Sequence, residues 1–310
     1  TTPRNRELDT NMVTPASTSS SNNGKSLDGI DPSFEHYIRE IPGLTYASDD
    51  QSWVARGITR SLERALGRHK IERHYFALKG RGLDSQAFFE QALAVTGVSL
   101  HCDFSPLDQL RDNQPIMFLA NHPFGVLDGL ILCNIAMRIH GDFRVVINSL
   151  LCQDRQLAKH FLPIDFSGTR EAERRNVRAK QMAGAALKAN IPLVLFPSGM
   201  VSTARRMGFG KVQDAPWTTF AAKLVRQHRP QVVPVYFYGR NSRPFHVASH
   251  IAEPLRMAML MHESLRRFDK PINLVIGQPM QPESWQHIEG RQALTQFLYN
   301  AVQSLEQPQG

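Results

Sequence analysis

Cysteine is scarce in this chain of 310 residues, which contains Cys102, Cys133 and Cys152 and no others. The number is odd, and none of the three stands in a Cys-x-x-Cys or Cys/His spacing. The sequence therefore argues against a disulfide framework and against a zinc site, and its free thiols suit a reducing compartment. Phosphate-loop and dinucleotide fingerprints are missing as well, because Gly208-Phe-Gly210 by itself matches neither.

Long apolar runs are also missing. No stretch approaches the roughly 18 apolar residues that a bilayer-spanning helix needs, and the N-terminus lacks the hydrophobic core of a signal peptide. We therefore expect a cytoplasmic protein. The net charge of +8 favours an anionic partner, such as nucleic acid, a membrane surface or a phosphorylated substrate, although a basic soluble enzyme also fits. We do not expect nucleic acid, because a recognition motif is lacking and the basic residues are dispersed.

The N-terminal third divides into two regions. Residues 1–28 are rich in serine, threonine and asparagine and are predicted to form a disordered tail, because they cannot bury enough apolar surface to offset their ordering entropy. Residues 29–97 are predicted to be helical. The three helices expected there are marked by Phe34, Ile38 and Ile41 before Pro42, by Trp53, Ile58, Leu62 and Leu66, and by the run from a cap at Asp84 to Gly97.

Beyond Gly97, short apolar runs alternate with amphipathic segments. The predicted strands are Val98–Cys102, Ile116–Ala120, Phe143–Asn148, Leu193–Phe196, Val232–Tyr238 and Ile272–Ile276. The predicted helices are Arg170–Ala189, Trp217–Gln227, Arg256–Phe268 and Glu289–Leu305. This alternation predicts an α/β domain over residues 98–310, with a mixed, largely parallel sheet flanked by helices.

A polar loop directly follows the second predicted strand, Ile116–Ala120. It contains His122 and Asp128, and it leads into an apolar helical face. Open α/β sheets hold their ligands beyond the carboxyl ends of the strands, so this loop is the expected site. A structural role, in which Asp128 caps the helix and His122 bonds within the loop, is the alternative.

A neighbouring histidine and aspartate suit acyl transfer to a hydroxyl. A neutral imidazole can take the proton of an alcohol as the alcohol attacks a thioester carbonyl. A carboxylate on the far ring nitrogen sets the tautomer and stabilises the imidazolium. No serine nucleophile is needed, and Ser198 lacks the first glycine of a Gly-x-Ser-x-Gly elbow.

The segment Asn121-His-Pro-Phe-Gly-Val-Leu-Asp128-Gly closely resembles the first motif of the glycerolipid (lysophosphatidic-acid-type) acyltransferase family. In particular it looks like the bacterial branch labelled haemolysin, which includes ornithine-lipid acyltransferases. That family usually has four residues between His and Asp, whereas this chain has five, from Pro123 to Leu127, as expected of that branch. Later motifs are resembled, in order, by Leu162-Pro-Ile-Asp165 after a strand, Leu195-Phe-Pro-Ser-Gly-Met-Val-Ser202, and Val232-Val-Pro-Val-Tyr236.

The resemblance implies an O-acyltransferase of membrane lipid biosynthesis with His122 as general base and Asp128 as its support. It implies an acyl-CoA or acyl-carrier-protein donor, a lyso-lipid acceptor of the lyso-ornithine or lysophosphatidic acid type, and a peripheral place on the anionic inner face of the cell membrane. No metal and no further cofactor is expected. The implied substrate-contacting residues are Asn121, Pro123, Phe124, Gly125, Asp165, Phe196, Pro197, Ser198, Gly199, Ser202, Arg205, Arg206, Lys211 and Pro234.

The third motif departs from the wider family, which has Glu and Arg where this chain has Ser198 and Val201. In the family those charges are associated with the glycerol phosphate of the acceptor. Either the acceptor differs, or the phosphate contacts come from Ser202, Arg205, Arg206 and Lys211, unless that loop is only a solvated surface. A non-catalytic, membrane-active lipid-binding protein is the alternative function, and the retained His/Asp pair counts against it.

Two further segments each allow two interpretations. Arg170, Arg174, Arg175, Arg178 and Lys180 crowd one predicted helix, as a membrane- or phosphate-facing patch or as an exposed face. The segment Met257-Ala-Met-Leu-Met261 offers either an acyl-chain surface or ordinary core packing.

Overall fold

The computed structural model describes residues 29–40, 52–204, 210–251 and 253–306. The predicted tail lies outside these residues, as do Ile41 and Pro42. The N-terminal region comprises a 3₁₀ helix, Pro32–Tyr37, followed by α1 (Trp53–Ala65), α2 (Arg68–Lys79) and α3 (Ser85–Val95).

The helical character of this region was predicted correctly, but two details were wrong. The first helix is a 3₁₀ turn that ends at Ile38, where the backbone becomes extended (φ −70°, ψ 139°). The helix α2 was not predicted. It directly follows the helix expected from Trp53 to Leu66, and Gly67, with φ +94°, separates the two helices. The backbone angle at Gly67 favours glycine, and a Cβ there would also lie 2.8 Å from the end of the Leu265 side chain and displace it.

A seven-stranded sheet forms the centre of the protein, in the order β1-β9-β8-β2-β5-β3-β4. All neighbouring pairs are parallel except β8 and β9, which are antiparallel, so the predicted mixed, largely parallel sheet is confirmed. A small antiparallel hairpin, β6 with β7, stands apart. The strands are β1 (Ser99–His101), β2 (Ile116–Ala120), β3 (Arg144–Asn148), β4 (Phe161–Ile164), β5 (Leu193–Leu195), β6 (Thr203–Ala204), β7 (Val212–Gln213), β8 (Gln231–Phe237) and β9 (Pro271–Ile276).

Helices cover both faces of this sheet. Strand β2 shows the consequence, since Phe118 packs into one core with α3 and α4 while Met117 and Leu119 pack into the other with α6, α7 and α10. A strand buried on both faces reads as a continuous apolar run. The remaining helices are α4 (Val126–His140), α5 (Arg155–Ala158), α6 (Arg170–Lys188), α7 (Phe220–His228), α8 (Arg243–Ile251), α9 (Glu253–Arg267) and α10 (Arg291–Gln303), with short 3₁₀ turns at Ser105–Gln109, Ser149–Leu151, Pro282–Ser284 and Ser304–Glu306.

Two prolines in the predicted motifs lie within strands. Pro163 lies in β4, an edge strand, so the second motif forms a strand instead of following one as predicted. Pro234 lies in central β8, where its carbonyl accepts the Gly277 N–H at 2.8 Å. A backbone N–H at Pro234 would also point towards β9. The pairing of β8 with β9 is interrupted at this point, between Ile276 and the isolated bridge at Met280. A central strand therefore tolerates this proline.

The basic helix α6 binds the N-terminal segment. Arg175 contacts Tyr37 and Asp165, and Arg178 forms an ion pair with Asp31 at 2.6 Å. Arg170 and Arg174 are exposed. Within the described ranges, no helix is both long and apolar enough to cross a bilayer.

Candidate active site

The loop after β2 is held at the carboxyl end of the sheet by Asn121. Its side chain donates to the Phe237 carbonyl at 3.0 Å and accepts the Phe237 N–H at 2.7 Å, so it continues the β2–β8 pairing past the last strand residue. Asn121 is buried and is therefore a scaffold for the loop. The next residue, His122, leaves the sheet at a defined place.

His122 and Asp128 are in direct contact. The His122 Nδ1 atom lies 3.1 Å from Asp128 Oδ2, and the same oxygen accepts the backbone N–H groups of Phe124 at 2.8 Å and Gly125 at 3.0 Å. Gly125 turns the chain with φ +75° and ψ −115°, and α4 begins at the next residue. Asp128, in the first turn of α4, therefore both caps the helix and holds the imidazole, and the structural and the catalytic interpretations of this residue are compatible.

Burial dominates the electrostatics of Asp128. The side chain is fully buried, which raises the pKa of this carboxyl, while His122 and the two backbone N–H bonds oppose that rise. Its Oδ1 atom has no hydrogen-bond partner within the described part of the chain. A buried carboxylate with one unpaired oxygen is costly unless a cation forms beside it, which is what protonation of His122 would provide.

The orientation of the His122 imidazole is held by contacts to its ring and to its backbone. Its ring stacks on Phe196, with centroids 4.0 Å apart and planes 27° from parallel. Because Nδ1 faces Asp128, Nε2 is the nitrogen left for a substrate, and the side chain is 18% exposed. The Ser202 N–H donates to the His122 carbonyl at 2.8 Å, and the His122 N–H donates to Asp214 at 3.3 Å.

An apolar pocket of about 380 Å³ opens on this histidine. It is lined by the His122 loop and α4, by β3, and by Phe88 and Phe89 of α3. Of the site residues predicted from sequence, His122, Gly125, Phe196 and Gly199 line it. The helical N-terminal region thus contributes directly to the site, which the sequence did not predict.

A second cavity of about 270 Å³ is lined by four other predicted residues, Asn121, Pro123, Ser202 and Lys211. Its lining is partly polar and partly apolar, and His122 does not line it. Lys211 forms an ion pair there with Glu306 at 2.5 Å, and the Ser202 hydroxyl donates to Asp214. The structure therefore divides the predicted substrate contacts between two cavities.

The other predicted residues lie elsewhere. Asp165 accepts hydrogen bonds from Tyr37 and Arg175 and lines neither cavity, and Ser198 donates to the Met200 carbonyl at 2.8 Å within its own turn. Phe124 is buried beneath Arg267, whose guanidinium carbon lies 4.3 Å from the ring centroid. The Pro197 carbonyl accepts the Thr218 N–H, Pro234 is in the sheet, and Arg205 and Arg206 fall outside the described residues.

Three residues that line the pocket were not among the predicted substrate contacts. Val201 and Leu260 each approach within 3.3 Å of the Cβ position at Gly125, and both line the pocket, as does Arg256. Leu260 belongs to the methionine-containing segment, where Met261 packs in a small core with Phe245, so that face serves both the core and the pocket. Asp214 carried no motif signal.

The class of this protein follows from a comparison with protein families. The family model described as Acyltransferase matches residues 52–289, well over half of the chain. The chain therefore belongs to this family and is an enzyme, which confirms the resemblance found in the motifs.

Particular relatives are similar to this chain. A lyso-glycine lipid O-acyltransferase of Phocaeicola vulgatus is 27% identical over 269 residues, which cover 84% of this chain and 92% of that protein. A lyso-glycine lipid O-acyltransferase of Bacteroides thetaiotaomicron is 30% identical over 171 residues, 53% of this chain and 60% of that protein. The crystal structure of the 1-acyl-sn-glycerophosphate (LPA) acyltransferase PlsC from Thermotoga maritima is 14% identical, with a TM-score of 0.47 over 81% of this chain and 96% of that one.

Proposed function

We propose that this enzyme transfers a fatty acyl group from a thioester, acyl-CoA or acyl-carrier protein, to the hydroxyl of a lyso-lipid. One observation carries the proposal: an apolar pocket opens on an imidazole whose far nitrogen is held by a buried carboxylate. The dyad supplies the base that an alcohol requires, and the pocket suits a fatty chain. Membership of the acyltransferase family argues against the non-catalytic alternative.

The reaction follows from the tautomer of His122 that an ionised carboxylate requires, because a carboxylate can only accept a hydrogen bond. With Nδ1–H donating to Asp128, Nε2 of His122 carries the lone pair and takes the proton of the acceptor hydroxyl. The alkoxide oxygen attacks the thioester carbonyl, the C–S bond breaks, and the imidazolium returns its proton to the thiolate. Asp128 stabilises the imidazolium in between. These reaction steps need no covalent enzyme intermediate, no metal and no cofactor other than the acyl donor.

The pocket suits an acyl chain because its lining is apolar and because small side chains leave space in it. Each buried methylene gains about 0.8 kcal/mol, so an apolar lining favours a chain. Gly129 and Cys133, one turn apart on α4, line the pocket with little side-chain volume. A Cβ at Gly129 would meet nothing within 4 Å, so this glycine leaves open space.

Filling that space should change the chain-length preference. We expect Gly129→Leu to lower the rate with a long-chain donor by about tenfold or more, because overpacking costs about 1–3 kcal/mol. The rate with a short-chain donor should stay near that of the wild type. Donor-length profiles of the purified variants measure this, with Gly129→Ala as the matched control that adds one methyl group. Equal losses at every chain length would remove the pocket from acyl binding.

For the acceptor we propose a lyso-lipid with an amino-acid head group. Both curated relatives carry the name of lyso-glycine lipid O-acyltransferases. Arg256 is the one lysine or arginine among the described residues that line the His122 pocket, whereas Lys211 lies in the other cavity and is paired. A guanidinium binds a carboxylate bidentately, and its five N–H donors leave some for a ligand beside any protein contact. One cation suits a carboxylate better than a phosphate dianion.

Acceptor competition tests this assignment. With one acyl donor, we expect lyso-glycine or lyso-ornithine lipid to be acylated faster than lysophosphatidic acid. Arg256→Gln should raise the KM for the carboxylate acceptor by about tenfold or more, since hydrogen bonds to charged groups contribute about 1.5–3 kcal/mol. Arg256→Lys, which keeps the charge but loses the bidentate geometry, should fall between. A preference above tenfold for lysophosphatidic acid, abolished by Arg205→Ala or Arg206→Ala, would instead assign the basic loop to a phosphate.

We also propose that the pocket opens towards the anionic inner face of the cell membrane. Phe166 and Met200 both line the pocket yet are 62% and 41% exposed, so apolar surface surrounds its opening. Exposed Arg170 begins α6 four residues after Phe166 and adds positive charge. Apolar and basic side chains together are typical of a surface that binds anionic lipid.

Vesicle binding measures that association. Binding to anionic vesicles should weaken as salt rises, because screening shortens the reach of the positive charges. The double change Phe166→Ser with Met200→Ser should weaken binding by about tenfold, given about 1.5–3 kcal/mol per fully buried side chain. Val177→Ser, which alters a residue 55% exposed that does not line the pocket, is the control. Binding indifferent to salt and to the double change would contradict this orientation.

A further inference from the structure

A carboxylate outside the recognised motifs lies behind the loop that carries His122. The Oδ1 atom of Asp214 accepts the His122 backbone N–H at 3.3 Å and the Ser202 hydroxyl, and its Oδ2 atom accepts the Trp217 indole N–H at 3.0 Å. Asp214 lines the second cavity and not the His122 pocket. Its contacts are thus with the back of the catalytic loop, on the side away from the reacting groups.

These bonds close a ring around the His122 backbone. Ser202 donates its N–H to the His122 carbonyl at 2.8 Å and its hydroxyl to Asp214, which in turn accepts the His122 N–H. Both backbone polar groups of His122 are therefore held, one by each partner. Fixing the two peptide planes beside a residue sets the direction in which its side chain leaves the chain.

The Asp214 segment is itself anchored at two further points. Trp217 packs edge-on against Tyr299 of α10, with ring centroids 5.4 Å apart. The next residue, Thr218, donates its N–H to the Pro197 carbonyl at 3.1 Å, directly after Phe196, on which the imidazole stacks. One segment thus holds both the His122 backbone and the strand end that bears its stacking partner.

We propose that Asp214 is a positioning residue for acyl transfer, which holds the His122 loop so that Nε2 faces the pocket. A carboxylate suits this role because it accepts three donors and presents none of its own. An asparagine would turn an NH₂ group towards at least one of those donors. Asp214 acts through the backbone, so its loss should affect the rate of reaction more than the binding of either substrate.

Steady-state kinetics of Asp214→Asn test this role. We expect kcat to fall by about 10- to 100-fold, because a displacement of about 1 Å at a reacting group can cost that much. The KM for donor and acceptor should stay within about twofold. The matched control is Asp142→Asn. Asp142 accepts hydrogen bonds from Arg144 and the Phe143 N–H, but it precedes β3 at the opposite, amino end of the sheet. That change should lower Tm and leave kcat per folded molecule unchanged.

Ser202→Ala provides a second variant on the same oxygen. It removes the hydroxyl bond to Asp214 but keeps the backbone N–H that holds the His122 carbonyl. Its effect on kcat should be smaller and should not add to that of Asp214→Asn, as expected for one network. An unchanged kcat in folded Asp214→Asn, or a raised KM in Ser202→Ala, would overturn the proposal. If Asp214→Asn does not fold, Ser202→Ala decides alone, since an unchanged kcat refutes the role and a lower kcat at constant KM supports it. Any acceptor that the wild type converts serves, so the result is independent of the head group proposed above.

Discussion

Replacing His122 with alanine should lower acyl transfer by at least about 100-fold while leaving the fold intact, because general base catalysis contributes about 10²- to 10⁴-fold. The Nε2 atom of the imidazole is left free to face the pocket. Ser198 is bonded within its own turn, and burial raises the pKa of the Cys133 thiol, which also lines the pocket, so neither competes well as a nucleophile. Single-turnover rates with a saturating thioester donor measure the loss, and thermal unfolding verifies the fold.

A histidine elsewhere in the protein separates this effect from general damage. His228 ends α7 and packs on α6, where its Nε2 atom lies 2.7 Å from the Cβ position at Gly184. His228→Ala should therefore disturb packing without changing turnover per folded molecule. Near-normal turnover in well-folded His122→Ala would remove His122 from the mechanism.

Asp128→Asn should be nearly as damaging to activity. The Phe124 and Gly125 N–H groups that now hold Oδ2 would keep the amide oxygen in the same place, still able to accept from His122 Nδ1. The amide would replace the unpaired Oδ1 with its NH₂ group. Ring orientation is then preserved and only the negative charge is lost, so the imidazolium loses its stabilisation. We expect kcat to fall by about 10²- to 10⁴-fold, by analogy with the loss of such a carboxylate in a catalytic triad.

The same change should not cost stability, and the sign follows from the pKa. Burial raises the pKa of Asp128 above its unfolded value of about 3.9. The folded state therefore binds this proton more tightly, and the contribution of Asp128 to stability is lost as the pH rises through the interval between the two pKa values. At neutral pH the asparagine variant should have a Tm equal to or above that of the wild type, and the difference should shrink as the pH is lowered. A variant that loses activity only in proportion to a lower Tm would leave Asp128 as a helix cap alone.

Local patterns predicted much of the architecture. The strand Ile116–Ala120 was predicted to the residue, since five consecutive apolar residues suit a strand that is buried on both faces. The cap at Asp84 was also correct, with its side chain accepting the Ala87 N–H at 2.8 Å. The strand β4 and the hairpin β6–β7 were missed. These strands are short, and the sequence of β4 contains a proline, which argues against a strand in general and is accommodated here by the edge position.

The contact between His122 and Asp128 was accessible to sequence reasoning because it is local. Five residues separate His122 from Asp128. A strand ends shortly before His122 and a helix begins shortly before Asp128, so few loop conformations can connect the two elements. The motif resemblance then indicated the chemistry. The predicted contacts farther along the chain do not all reach the His122 pocket, because Ser202 and Lys211 line the second cavity and Asp165 holds the N-terminal segment.

The sequence by itself determined the alternation of strands and helices, the position of the loop at a strand end, and the His122–Asp128 pair, since each depends on neighbours within a few residues. Only the tertiary structure decided what surrounds that pair. Phe89 reaches the pocket from α3, Arg256 from α9, and Asp214 holds the His122 backbone from 92 residues away. Such contacts arise from packing distant elements against one sheet. They leave no periodic trace in the sequence, because a residue that touches the site across the fold obeys the same local pattern as one that does not.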